Sequence, residues 1–104
     1  MKLVIEREKW CHGEGPTKSF LIRMSDHRMC CLGFFGLECG LKRERLIGAA
    51  GVAACSDEPW PSWLDTEDRF ALYEANDSIG IPGPQRESRI AAIFAKHGVE
   101  VEFK

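Results

Sequence analysis

The sequence predicts an α+β domain: a small sheet built from strands near 2–6, 19–23 and 99–103, packed by a buried central helix and two amphipathic helices. Three patterns carry that expectation. Between Met29 and Gly40 only Glu38 is charged, so a helix there is apolar on nearly every face and must be covered by other elements. Ile90, Ile93, Phe94 and His97 fall at the i, i+3, i+4, i+7 spacing of one helical face. Leu3-Val4-Ile5 near one end, and Val99, Val101 and Phe103 alternating with Glu100 and Glu102 near the other, read as strands. With 104 residues, 44% of them apolar and 29% charged, the chain suits one compact domain over 1–104.

Taken in order, the strand near 2–6 leads through Trp10-Cys11-His12 into Gly13-Glu14-Gly15-Pro16, whose glycines and proline mark a surface loop. Ser19-Phe20-Leu21-Ile22-Arg23 reads as the second strand. Ser25 or Asp26 can cap the helix that follows by accepting its first free N–H groups. Within that helix Gly33 and Gly36 cost roughly 1 kcal/mol each against alanine, which points to close backbone approach by a neighbour. Gly40 suits a left-handed helix end with Leu41 folding back. Lys42-Arg43-Glu44-Arg45-Leu46-Ile47 suits one or two helical turns, and 48–54 is too small and weakly patterned to assign, so the structure and role of 42–56 stay open. Trp60-Pro61-Ser62-Trp63 is extended, and two tryptophans so close together suit the lid of a core. Asp65 or Thr66 starts a helix with Glu67 and Asp68 at its positive end and Phe70, Leu72, Tyr73 and Ala75 on its apolar side; Asn76-Asp77 closes it. Pro84 fits the first position of the last helix, and Gly98 ends it. If the terminal strands pair, Lys2 and Arg7 face Glu100 and Glu102.

Charge and composition narrow the classes. A net charge of −2 gives no general attraction to nucleic acid or anionic lipid. No stretch approaches the ~18 apolar residues of a membrane span, and the opening run is too short for a signal peptide, so the expected location is the cytoplasm. Cys11, Cys30, Cys31, Cys39 and Cys55 form an odd set without disulfide-framework spacing, which suits reduced thiols packed as small core residues.

Two constellations can carry chemistry. The loop Gly13-Glu14-Gly15-Pro16-Thr17-Lys18-Ser19 looks like a phosphate loop, but Thr17 stands where a glycine is needed and a strand rather than a helix follows. A looser role survives: Lys9, Trp10, His12, Lys18 and Arg23 flank the glycines and suit a small anionic or aromatic ligand, with Trp10 stacking and the cations meeting phosphate. The bland reading is a hairpin connection with solvated charges. Second, Cys11, His12, His27, Cys30 and Cys31 are candidate metal ligands, and Cys30 with His27 a candidate reactive thiol, although adjacent cysteines on a helix point apart and no Asp or Asn is placed to orient the imidazole. Buried thiols beside exposed histidines are the bland reading. No cofactor is expected, and Glu67, Asp68, Glu74 and Asp77 read as helix-start, surface and helix-end residues rather than paired catalytic acids.

Lys9-Trp10 with the Gly13-Glu14-Gly15 loop, Met29-Cys30-Cys31-Leu32-Gly33-Phe34, Trp60-Pro61-Ser62-Trp63-Leu64, Asn76-Asp77 and the ending His97-Gly98-Val99-Glu100-Val101-Glu102-Phe103 resemble, in order, a family of small phage and prophage proteins. Similar sequences carry Leu and Arg where this one has Cys11 and His12, which weakens any role for those two as obligatory ligands. The resemblance implies a non-enzymatic accessory protein in the host cell, countering host defence by binding a host protein or sequestering a nucleotide-like signal. The alternatives are a metal-binding or thiol-dependent protein using Cys30, Cys31 and His27, and a virion component that self-associates as a homo-oligomer.

Overall fold

The computed structural model describes residues 1–51 and 54–104; Val52 and Ala53, part of the weakly patterned 48–54 stretch, lie outside the described residues. The elements run β1 (Lys2–Ile5), a single 3-10 turn at Arg7–Lys9, α1 (Cys31–Glu38), α2 (Arg43–Leu46), α3 (Thr66–Asp77), α4 (Gly83–Ala95) and β2 (Glu100–Phe103). The architecture is α+β, with a two-stranded parallel sheet.

β1 and β2 pair in parallel, Leu3 opposite Val101 and Ile5 opposite Phe103. The ladder continues where the Arg7 N–H donates to the Lys104 carbonyl at 2.7 Å. A sheet this small needs cover to be stable, and α1 packs on β1 while α4 packs on β2. Leu3 and Ile5 are buried accordingly. Lys2 meets Glu102 at 3.0 Å, as the strand pairing predicts. Arg7 does not: its guanidinium turns to α4 and holds Glu87 with two bonds of 2.8 and 2.7 Å.

The expected third strand near 19–23 is a correction. The segment runs between two neighbours, bends at Leu21 and forms no continuous ladder. On one side the Cys30 N–H donates to the Phe20 carbonyl at 3.1 Å; on the other the Leu21 N–H donates to Ala49 and the Gly48 N–H to Ile22, at 2.8 and 2.9 Å. Only Ile22 pairs in strand fashion, with Ile47. The physical reason is α1, which crosses so near that a Cβ on Gly33 would sit 1.8 Å from the Leu21 carbonyl oxygen. That carbonyl therefore faces the helix.

α1 is buried from Cys31 to Gly36, the core element its all-apolar surface demands. Gly36 makes the second close approach, against Trp60 and Leu46. Gly40 sits at φ +88° and the Leu41 N–H returns to the Gly36 carbonyl at 3.0 Å, the expected left-handed ending. The start differs from expectation: Cys30, not Ser25 or Asp26, precedes the first turn, and no local side chain caps it. Asp26 Oδ1 instead accepts the Arg28 N–H at 3.0 Å.

Of the open stretch 42–56, α2 supplies one turn, and Arg45 on it holds Asp57 and Glu58, each at 2.7 Å. Trp60 and Trp63 close the core over Phe35, with centroids 6.3 and 5.5 Å away. Asp65 caps α3 by accepting the Asp68 N–H at 2.9 Å. The buried stripe of α3 is Arg69, Leu72, Tyr73 and Asn76, spaced i, i+3, i+4, i+7. Phe70 lies about 100° round the helix from Arg69 and is 59% exposed, against its expected place on the apolar side. On α4, Ile90 and Phe94 are buried; beyond it His97 stacks on Trp63 at 4.1 Å with Nε2 3.1 Å from Asp68 Oδ2. Among the described residues no helix is long and apolar enough to cross a membrane.

Candidate functional site

The 13–19 loop is held from beneath by the end of α3. The Gly13 and Gly15 N–H groups donate to the Asn76 and Asp77 carbonyls, both at 2.9 Å, with each glycine at positive φ so that its amide can turn inward. Asn76 itself is fully buried and joins four segments. Its Oδ1 accepts from Trp10 Nε1 at 2.8 Å and from the Cys31 N–H at 3.0 Å; its Nδ2 faces the Cys11 carbonyl at 3.0 Å, Ser19 Oγ at 3.3 Å and Asp77 Oδ1 at 2.9 Å. Asn76 thus answers the free N–H of α1 that no local residue caps. Behind it, buried Arg86 donates to the carbonyls of Ala75, Asn76 and Ser78 at 2.7–2.8 Å, placing a cation on the negative end of α3.

The five loop-flanking residues fall into three places. Trp10 is buried, its N–H taken by Asn76 and its ring packed by His12 at 3.8 Å and Phe103 at 5.1 Å, so its indole serves the core rather than a ligand face. His12 is half-buried there, and burial together with the Arg86 charge lowers its pKa. Lys9 lies elsewhere, in a groove with Glu6, His27, Phe34 and Arg43. Lys18 and Arg23 do come together, lining an open cavity of about 400 Å³ with Thr17, Phe20 and Met24. Arg23 is already engaged, held by Asp26 at 2.6 Å and Glu14 at 3.0 Å; Arg23 keeps Asp26 below the usual carboxylate range, and hydrogen bonds from the Cys11 thiol and from Arg23 lower Glu14.

On the other flank of the loop, Pro16, Ser19, Phe70, Tyr73, Glu74, Asp77 and Ser78 line a second cavity of about 330 Å³, at the small end of ligand-pocket size. Its lining surface is largely apolar, with Phe70 and Tyr73 on it, and Asp77 there is only 7% exposed. Burial raises the Asp77 carboxyl above its ordinary pKa, opposed by hydrogen bonds from Ser19 and Asn76 and by the Arg86 charge. Three exposed large apolar side chains surround the loop: Phe70 on this cavity, Ile79 beside Gly15 and Met24 on the Lys18 cavity, at 59%, 77% and 71% exposure.

The thiol constellation is not assembled. Cys30 and Cys31 are fully buried, whereas His27 is exposed in a left-handed conformation. Burial pushes the Cys30 thiol up to about 12 and that of Cys31 well above its usual value; Cys11 rises to about 11 through burial and its contact with Glu14. Among the described residues no three His, Cys, Asp or Glu side chains gather to hold a metal. Cys39 and Cys55 are half-buried. Iodoacetamide on native protein is therefore expected to modify only those two, and all five after denaturation, read by intact mass. Rapid alkylation of Cys30 in the native state would contradict this packing.

Sequence reasoning placed the loop but missed Asn76, Asp77 and Arg86. A signal was present: Asn76 and Asp77 stand four residues after Leu72 and Tyr73, on the same helix face, so they continue a buried stripe. Comparison with known proteins finds no family model, no curated protein and no solved structure that matches the chain.

Proposed function

We propose that this chain is a non-enzymatic phage accessory protein that binds a host protein through the face made by the 13–19 loop and α3. The observation that carries the reading is that Phe70 on α3 and Ile79 beside Gly15 are both exposed next to a loop pinned to the end of α3, with exposed Met24 on the opposite flank. Apolar side chains clustered at the surface supply the anchors of an interface, and a loop already locked in place loses little entropy on binding. The buried thiols, with raised pKa values, support a binding rather than a nucleophilic role. The resemblance to phage and prophage proteins supports a host partner and an anti-defence role.

The nucleotide-sequestering form of this reading draws less support. Arg23 has its charge met by Asp26 and Glu14, and the neighbouring cavity presents Glu74 and Asp77, which repel phosphate. The test is capture from host lysate by the tagged chain and by a Phe70→Ser, Ile79→Ser variant. A stoichiometric partner held by the parent chain and weakened by about tenfold or more in the variant, at unchanged thermal midpoint, is expected, since interface anchors cost at least ~1.4 kcal/mol each. Equal capture by both, or a native mass spectrum with a bound small anion lost on denaturation, overturns it.

A further inference from the structure

We infer that the free edge of β2 is a dimerisation edge, on which a second copy of this chain lays its own β2 antiparallel to make a four-stranded sheet; the inference is independent of the interface proposed above. The parity of the β1–β2 ladder carries it. The Glu100 and Lys104 N–H groups donate to the Met1 and Ile5 carbonyls at 3.0 and 2.9 Å, and the Arg7 N–H returns to Lys104. Bonding residues alternate along a parallel pair, so Glu100, Glu102 and Lys104 face β1 while the N–H and C=O groups of Val101 and Phe103 point away from it. Among the described residues no group meets those outward N–H and C=O groups. Such a row is the template on which another strand adds. Val101 and Phe103 are half-buried, so a strand beside them covers apolar surface as well as backbone. β1 offers less at the opposite edge: its outward Glu6 carbonyl already accepts the Lys9 N–H at 3.0 Å, where the chain enters the 3-10 turn.

Charge selects both the occupant and the register. With Glu102 on the two-fold axis, Val101 of each copy forms a bonded pair with Phe103 of the other, and Glu100 of each stands opposite Lys104 of the other. Glu102 then faces its own copy, and Lys2, 3.0 Å from Glu102 in each chain, offsets that repulsion. Centring on Val101 instead sets Glu100 against Glu102 and calls on the Val99 N–H, already bonded to the Phe94 carbonyl at 3.1 Å. Centring on Phe103 leaves a single bonded pair within β2. β2 therefore matches itself in one register, which is why a second copy is the occupant.

Sedimentation equilibrium of the full chain over about 0.01–1 mM is expected to show a monomer–dimer equilibrium with a dissociation constant on the order of 0.1 mM, as suits an interface at the small end of the size range. Val101→Pro removes an outward N–H and no bond to β1, the placement an edge strand tolerates, and weakens the dimer about tenfold. Glu100→Lys and Lys104→Glu, both on exposed side chains, each weaken it about tenfold by setting like charges opposite, and the double variant restores it. That restoration keeps the test clear of any effect of proline on folding. Carbodiimide treatment of mixed isotopically light and heavy protein is expected to join Glu100 of one copy to Lys104 of the other. A monomer at the highest concentration, a double charge variant no better than the single ones, or crosslinks that join other pairs between copies overturns the inference.

Discussion

Asn76→Ala is expected to lower stability by about 4 kcal/mol, because three buried groups lose the side chain that hydrogen-bonds them and each unsatisfied group costs about 1–3 kcal/mol. These are the Trp10 Nε1–H, the Cys31 N–H and the Cys11 carbonyl, which belong to two segments distant in the chain, 10–11 and the start of α1. Against a total of roughly 5–15 kcal/mol such a loss leaves the domain marginal, and it moves the thermal midpoint by about 16–30 °C. Asn76→Asp separates the parts of the network. The introduced carboxylate still accepts from Trp10 and Cys31 but donates nothing to Cys11, and it stands beside the Asp77 carboxylate, 2.9 Å from the present amide nitrogen. Burial and that like charge hold its folded pKa above the unfolded value of about 3.9. The unfolded state then binds fewer protons between the two values, so stability relative to the parent chain falls as pH rises through that window and is regained in acid. Denaturant melts at several pH values check both variants. A loss under about 1 kcal/mol for Asn76→Ala would show that Asn76 is not the joint between α1, α3 and the loop.

The same residue explains what the sequence could and could not disclose. Elements written in local pattern were legible: the all-apolar α1, the face of α4 through Ile90 and Phe94, the alternation of β2, and the close approaches at Gly33 and Gly36. What failed was set by partners distant in the chain. The α1 cap comes from Asn76, forty-five positions beyond Cys31, whereas local sequence offers only Ser25 and Asp26 in the preceding turn. Arg86 and Asp77 look like surface charges until α3 and α4 are packed. Ser19 to Arg23 has strand composition, yet composition says nothing of the helix that crosses Leu21. The candidate site was half legible for the same reason. Glycines and proline mark the loop, and Lys18 and Arg23 do share a cavity, but the carboxylates that engage Arg23 and the largely apolar cavity opposite depend on how the loop is pinned to α3.

The second large effect falls on Gly33, where two principles conflict and their magnitudes decide. Alanine in a helix is favoured over glycine by about 1 kcal/mol, so Gly33→Ala should stabilise α1 if propensity alone mattered. The added methyl carbon would lie 1.8 Å from the Leu21 carbonyl oxygen, 2.8 Å from its carbonyl carbon and 3.0 Å from Met29 Cβ. Backbone cannot rotate aside as a side chain does. Either α1 slides outward, opening its contacts with β1 and α3, or the 20–22 segment surrenders its bonds to Cys30, Ala49 and Gly48. Overpacking of this kind costs about 1–3 kcal/mol where neighbours can adjust, and more where they cannot. A net loss of at least about 3 kcal/mol is therefore expected, or no soluble folded protein at all. Gly36→Ala supplies the internal scale: its methyl meets the edge of the half-buried Trp60 ring at 3.0 Å and Leu46 methyls at 3.3 and 3.5 Å, all of them ends of side chains. Those can tilt, so its cost stays near 1 kcal/mol or below after the propensity gain. Thermal and denaturant midpoints of the two variants, measured side by side, decide the matter. If Gly33→Ala is as well tolerated as Gly36→Ala, α1 does not cross Leu21 at the distance described, and the reason given for the broken strand at 19–23 falls with it.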